Sequence, residues 1–376
     1  MSGAGGESGL GVGGRVSLRT WDLVAGLELV IEGYELGRLE APLHDDFVRS
    51  TTVIRLVGGG RDGLGEDVTY ANEDHDALAA AGAILPLAGS WTLASFTAHL
   101  ASLDQFPAPP QSEVYRRYRN WAFESAALDL ALNQAGEPLH AVLGREPAPL
   151  RFVASLRLED PPTLEPIEQR LAQHPSLGFK LDPTPSWDGE LIARIADLDA
   201  VEVVDLKGYY SGSVVDNPPE AGLYRRVAEG FPRAWIEDPA LTEETEPVLA
   251  GHHERITWDA PIHTVDDVRA LAFAPRMLNV KPSRLGGLRE LLDLYDYCAE
   301  HQIGNYGGGQ TELGVGRGQI EYLAALFHPD APNDVAPASY NVHPLPGNLP
   351  GSPLAPTPSR TGFRWADAAT ASGSIL

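Results

Sequence analysis

The sequence predicts an α/β protein in which a (β/α)8-type barrel, closed on itself, follows an α+β module. Three observations predict it. From about residue 151 onward, short apolar runs alternate with amphipathic helical patterns, the cadence of parallel strands joined by helical crossovers. Seven or eight such units fit within about 180 residues, which suits a closed barrel. Before residue 145 both periodicities occur, strand patterns first and a long helical pattern last, as in an α+β module.

In chain order, MSGAGGESGLGVGG has neither the basic start nor the apolar run of a signal peptide and reads as a flexible tail, residues 1–14. TTVIRLV (51–57) is strand-like, and GGGRDGLGED after it reads as a turn-rich connection. WAFESAALDLALNQAG (121–136) has helical spacing, with Phe123, Ala127, Leu130 and Ala131 on one face and Gly136 as its C-terminal stop. These fall in a module spanning 15–145.

The barrel is expected over 146–330. Its runs are RFVASL (151–156), LGFKL (177–181), VEVVDL (201–206), AWIED (234–238), RITWDA (255–260), MLNVK (277–281) and QIGNY (302–306). Between them, GELIARIADL puts Leu191, Ile192, Ile195 and Ala196 in register. LGGLRELLDLYDYC does the same for Leu285, Leu288, Leu291, Leu292, Tyr295 and Cys298. The Pro- and Gly-rich end, within 331–376, is expected to run over the surface toward the first module.

Composition narrows the function. With 28 basic and 52 acidic residues the net charge is −24, which disfavours nucleic acid or an anionic membrane as partner. A single cysteine, Cys298, leaves neither an intramolecular disulfide nor a thiolate metal cluster. No apolar window reaches the roughly 18 residues of a membrane span, so a cytoplasmic protein is expected.

Five runs end in an ionisable residue: Lys180, Asp205, Glu237, Asp259 and Lys281. In a parallel barrel the C-terminal strand ends open onto one mouth, where active sites are built. Three carboxylates converging there repel one another unless a cation neutralises them. Ligation by oxygen alone selects a hard divalent ion, Mg²⁺, with Mn²⁺ as the alternative. Lys180 and Lys281 precede and follow the acids in the chain and should face each other across the metal. A lysine beside a divalent cation can act as a base, and a metal-bound carboxylate substrate makes its neighbouring carbon acidic. The combination predicts proton abstraction α to a carboxylate.

The ordered motifs FKLD, VVDLKG, WIEDP, TWDAP, NVKPSRLGGL and GGGQTELGVGR, together with AFESAALDLALNQAGEPLHAVLG, resemble the enolase superfamily and within it the muconate-lactonizing subgroup, over residues 15–345. The resemblance implies that Asp205, Glu237 and Asp259 hold Mg²⁺ on the third to fifth strands, with Lys180 and Lys281 as the opposed acid/base pair. It implies that Glu312 contacts substrate or orients Lys281. It also implies that the first module caps the barrel mouth through loops near 41–52 and 60–72, and that identical chains assemble into an oligomer. The implied reaction passes through a metal-stabilised enediolate from a small carboxylate. A racemase or epimerase is the leading expectation, and an o-succinylbenzoate synthase-like dehydratase or a cycloisomerase the alternative. A non-catalytic binding protein on the same fold is the alternative of another class.

Three departures mark an unusual branch. The family shows two lysines one residue apart on the second strand, where this chain has LGFKLDPTP. Either Lys180 is the base and Gly178 replaces its helper, or Lys180 is the helper and Asp182 holds the base position. Two residues after the first metal ligand the family favours Asn, and here stands Lys207. It could replace the helper cation, bind substrate, or merely neutralise the acids and weaken metal binding. TWDAP also lacks the acid and hydroxyl that commonly follow the third ligand.

Overall fold

A computed structural model describes residues 19–44, 47–212, 215–342 and 344–365, so the expected N-terminal tail lies outside the described residues. The first module is a three-stranded antiparallel sheet of Gly33–His44, Phe47–Gly58 and Arg61–Asp67. The long helix Val114–Ala135 packs across it and stops where Gly136 turns left-handed at φ 77°.

The segment GGGRDGLGED is mostly not a connection. Gly59 and Gly60, at φ 58° and 69°, form a two-residue hairpin, and the next residues continue as the third strand. Gly63 and Gly65, read from sequence as turn formers, serve packing instead. A Cβ at Gly65 would collide with Ala122 O and come within 2.5 Å of Ser125 Oγ on the long helix. The expected loop 41–52 is likewise largely strand, with its tip at 45–46 outside the described residues.

In the barrel, Val153–Leu156, Gly178–Leu181, Val201–Asp205, Trp235–Glu237 and Ile256–Thr257 pair in parallel and in chain order. Met277–Val280 pairs with Gly304–Gly307, and Asn279 N donates to Trp258 O at 3.1 Å to join the two sheets. The circle closes at 333–334, where Asn333 bridges Phe152 and Asp334 bridges Gly308. This eighth position lies beyond residue 330, where the sequence reading ended the barrel. It was missed because it is only two bridging residues long, flanked by prolines.

The helix Gly189–Asp197 begins at Asp188, whose side chain accepts from Leu191 N, and buries Leu191, Ile192 and Ile195. The next expected stripe breaks. Leu285 belongs to a separate short turn, and Leu288–His301 starts after Gly286 (φ 84°), where a side chain would strike Arg117. The C-terminal segment returns to the first module, where Arg364 Nε donates to Asp129 at 2.6 Å. No helix among the described residues is long and apolar enough to cross a membrane.

Two buried groups fix the cap over the mouth. Glu66 accepts from Leu313 N, Gly314 N and Gly316 N at 2.7–3.0 Å, at the start of the helix Val315–Phe327. Arg49 donates to Thr69 O and Val68 O in the cap and to Gln310 O and Thr311 O in the loop after the seventh strand.

Candidate active site

Asp205 and Glu237 are the last residues of adjacent strands and stand side by side in register. Their carboxylate oxygens lie within 4.8 Å of each other and of Asp238, all three residues buried. Asp259, the expected third member, follows the fifth strand and is drawn toward cations, with Lys281 Nζ at 2.7 Å and Arg284 Nε at 2.9 Å. Asp238, which sequence reasoning passed over, sits at φ 48° and accepts from Asp259 N and Ala260 N at 2.9 and 3.0 Å. It therefore holds the turn that carries Asp259. Its signal was in plain view, as the second acid of WIED.

Register separates Lys180 from Asp182. Pairing of Lys180 with Val203 and of Leu181 with Val204 sets Asp182 level with Asp205 and Lys180 one layer deeper. Lys180 is 1% exposed, with its ammonium 2.6 Å from Glu237, 3.1 Å from Asp205 and 3.3 Å from Asp334. Burial alone would lower its pKa, but these three carboxylates raise it well above the ordinary value. The ammonium of Lys207 is raised in the same way, against burial, by Asp182 and Asp205, so depth rather than titration distinguishes the two lysines.

Lys207 takes up a left-handed backbone, φ 54°, uncommon for a residue with a side chain. Its N–H donates to Asp205 Oδ1 at 3.1 Å, and its ammonium binds Asp205 Oδ2 with Asp182 Oδ2 3.5 Å away. Burial raises the Asp182 carboxyl against the pull of Lys207. In Asp205 burial pushes the same way, but Lys207 and Lys180 outweigh it and hold the carboxyl well below the usual range. Arg284 and Lys281 likewise hold Asp259 low, whereas burial leaves Glu237 and Asp238 raised.

Lys281 stands just past the sixth strand, and Gly308 opposite leaves it room, since a Cβ there would meet Lys281 Cε at 2.7 Å. Glu312 is not its partner. Its carboxylate accepts from Gln310 N at 2.6 Å and pairs with Arg317 at 3.0 Å, on the side of the cap near Glu66. Tyr306 donates to Glu237 Oε2 and Asn279 Nδ2 to Glu237 Oε1. Tyr210 donates to Asp259 at 3.3 Å and accepts from Arg284 at 3.0 Å. Nearby, Trp187 is fully buried and Tyr209 half exposed, and neither is bonded to the cluster as Tyr210 is.

Six carboxyl groups (Asp182, Asp205, Glu237, Asp238, Asp259, Asp334) thus share the site with four basic groups (Lys180, Lys207, Lys281, Arg284), two more acids than bases. That excess and the all-oxygen donor set fit one hard divalent cation.

Residues 22–142 and 146–342 match the N-terminal and C-terminal domains of the family described as domain of unknown function DUF8230. The chain is 27% identical to an o-succinylbenzoate synthase of Geobacillus stearothermophilus over 58% of its length, and spans only 59% of that protein. It is 28% identical to an N-succinylamino acid racemase of Thermus thermophilus over 82% of its length and 86% of that protein's. A solved enolase-superfamily member from Listeria innocua superposes with a TM-score of 0.61 at 20% identity, covering 83% of this chain and 86% of that one. With both of its domains matched, the chain belongs to the DUF8230 family, and it shares the capped-barrel fold of the solved enolase-superfamily member.

Proposed function

We propose that the chain is a divalent-cation-dependent isomerase that removes the proton α to a small carboxylate and returns it, as a racemase or epimerase of the muconate-lactonizing subgroup. One observation carries this reading. Two ammonium groups, Lys207 after the third strand and Lys281 after the sixth, stand at the mouth on either side of a buried carboxylate cluster. Asp205 and Glu237, with Asp259 as third ligand, would hold Mg²⁺ or Mn²⁺. When bound, that ion supplies positive charge against the negative charge gathering on the substrate carboxylate as the proton leaves.

Lys281 Nζ carries the proton on one face and is oriented by Asp259. Lys180, expected from sequence on the other face, is enclosed by three carboxylates one layer down. We therefore keep it as a counter-charge and assign the second face to Lys207, with Asp182 at the base position beside it. Glu312 steadies the loop between mouth and cap. The enzyme is read as cytoplasmic and as an assembly of identical chains, like many of its kind.

The racemase relative supplies the first probes, N-succinylamino acids, with dipeptides next. In D₂O with Mg²⁺, recovered substrate should gain α-deuterium and lose optical purity. A second reading, β-elimination of water, is favoured by the enclosure of Lys180, because elimination needs only one proton carrier, and by the o-succinylbenzoate synthase relative. A new ultraviolet-absorbing product from a succinylated cyclohexene acid, with no exchange, would select it. Tight carboxylate binding with neither exchange nor product would leave a binding protein.

A further inference from the structure

Beyond the second face and the base position assigned above, Lys207 and Asp182 bear on the metal itself. The ammonium of Lys207 occupies Asp205 Oδ2, an oxygen that a divalent ion would need. Asp182 lies 3.5 Å away, is 8% exposed, and its Oδ1 has no hydrogen-bond partner among the described residues. A buried carboxylate oxygen left empty beside an ammonium is costly and is an open place for that ammonium to go. The left-handed backbone at Lys207 is strained, and such strain persists only where surrounding structure holds it. Gly208 contributes to that hold, because any side chain there would strike Ala240 N.

We propose that Lys207 is a built-in stand-in for the metal, which sits on Asp205 when the site is metal-free and transfers to Asp182 when a divalent cation binds. The inference rests on the metal-dependent reading above. It makes Lys207 a competitor of the ion, and Asp182 the group that relieves the competition. The two residues should therefore act on metal affinity in opposite directions, which a purely structural role for either would not produce. Only Asp205 and Asp182 are within ion-pair reach of Lys207 among the described residues, so the alternatives for its ammonium are few.

Mg²⁺ affinity measured by titration calorimetry on the full chain tests this, with metal-free melting as a check on folding. Lys207→Asn suits the left-handed backbone, because Asn adopts it more readily than other side chains. It should bind Mg²⁺ about tenfold tighter than the unsubstituted protein, the effect of removing a charged competitor. Asp182→Asn should bind it about tenfold weaker, and in the double variant the Asp182→Asn effect should vanish. If the unsubstituted protein binds Mg²⁺ and Lys207→Asn binds it equally or more weakly, the inference falls while the metal-dependent reading stands. An Asp182→Asn effect that persists without Lys207 would overturn it equally. Binding seen only in Lys207→Asn would uphold the exchange and remove the metal-dependent reading for the natural chain. Absence of binding in every variant would overturn both.

Discussion

Lys180→Met separates a counter-charge from a proton carrier. Methionine keeps much of the stem's volume but removes an ammonium lying 2.6 Å from Glu237 and 3.1 Å from Asp205. All three side chains are about fully buried. Removing one partner from a buried ion pair typically costs about 3–5 kcal/mol, mostly from stranding the other charge. For a chain of this length the entropy of unfolding is on the order of 0.8 kcal/mol/K, so the metal-free protein should melt about 4–6 °C lower at pH 8.

The pH dependence sharpens the test. In the natural protein Lys180 has a raised pKa, so its contribution is complete below its unfolded value near 10.4 and is constant between pH 6 and pH 9. Without the ammonium, Glu237 loses the group that pulls its pKa down, and Asp205 loses one of those that do, keeping Lys207. Carboxyls with raised folded pKa values stabilise at low pH and lose that stability as pH rises. The variant's deficit should therefore shrink from pH 8 to pH 6, and Mg²⁺ should recover part of it by supplying the missing charge. Thermal melts at both pH values, with and without Mg²⁺, read this out. A variant as stable as the natural protein at pH 8, but without isotope exchange, would show that Lys180 is the proton carrier and refute its placement as counter-charge.

Other substitutions test the frame around the site. Gly65→Ala drives a Cβ into Ala122 O on the long cap helix and should cost about 3 kcal/mol in a denaturant melt; a neutral result would mean the sheet and helix are not in contact there. Arg364→Ala strands the buried Asp129 and should cost about 2–3 kcal/mol, whereas no loss would detach the C-terminal segment from the cap. Burial raises Glu124 to about 7, so its ionisation costs stability as pH rises from its unfolded value near 4.5 through 7. Glu124→Gln, which keeps an acceptor for Leu288 N, should gain on the natural protein by up to about 3 kcal/mol between pH 5 and pH 8. A difference that does not change with pH would contradict that shift.

The barrel was legible in the sequence because its strands are short apolar runs that end abruptly in charge, and burial on both faces leaves no other way to write them. The eighth strand escaped because two residues, Asn333 and Asp334, make its bridges, and no periodicity exists over two residues. Gly63 and Gly65 misled for a related reason. A glycine admits a turn and a close helix approach equally, and only the partner's position decides.

The site was legible as residue types but not as depth. Lys180 and Asp182 point to the same side of their strand, so spacing alone could not say which reaches the mouth. Two residues of strand amount to about 7 Å, enough to put one group beneath the carboxylates and the other among them. That difference is set by the register with the third strand, which places Lys180 beside Val203. The same depth argument gives Lys207 its meaning. The second strand offers an acid at the level of the carboxylates, and the ammonium there comes from the third strand instead, two residues past Asp205. The site thus has a lysine and an aspartate at its mouth, facing Lys281, whose charges can pair with each other or with a bound ion and substrate. Asp182 is buried there beside Lys207, with one oxygen that has no hydrogen-bond partner among the described residues. The pair is better explained as a relocated function than as a decayed one.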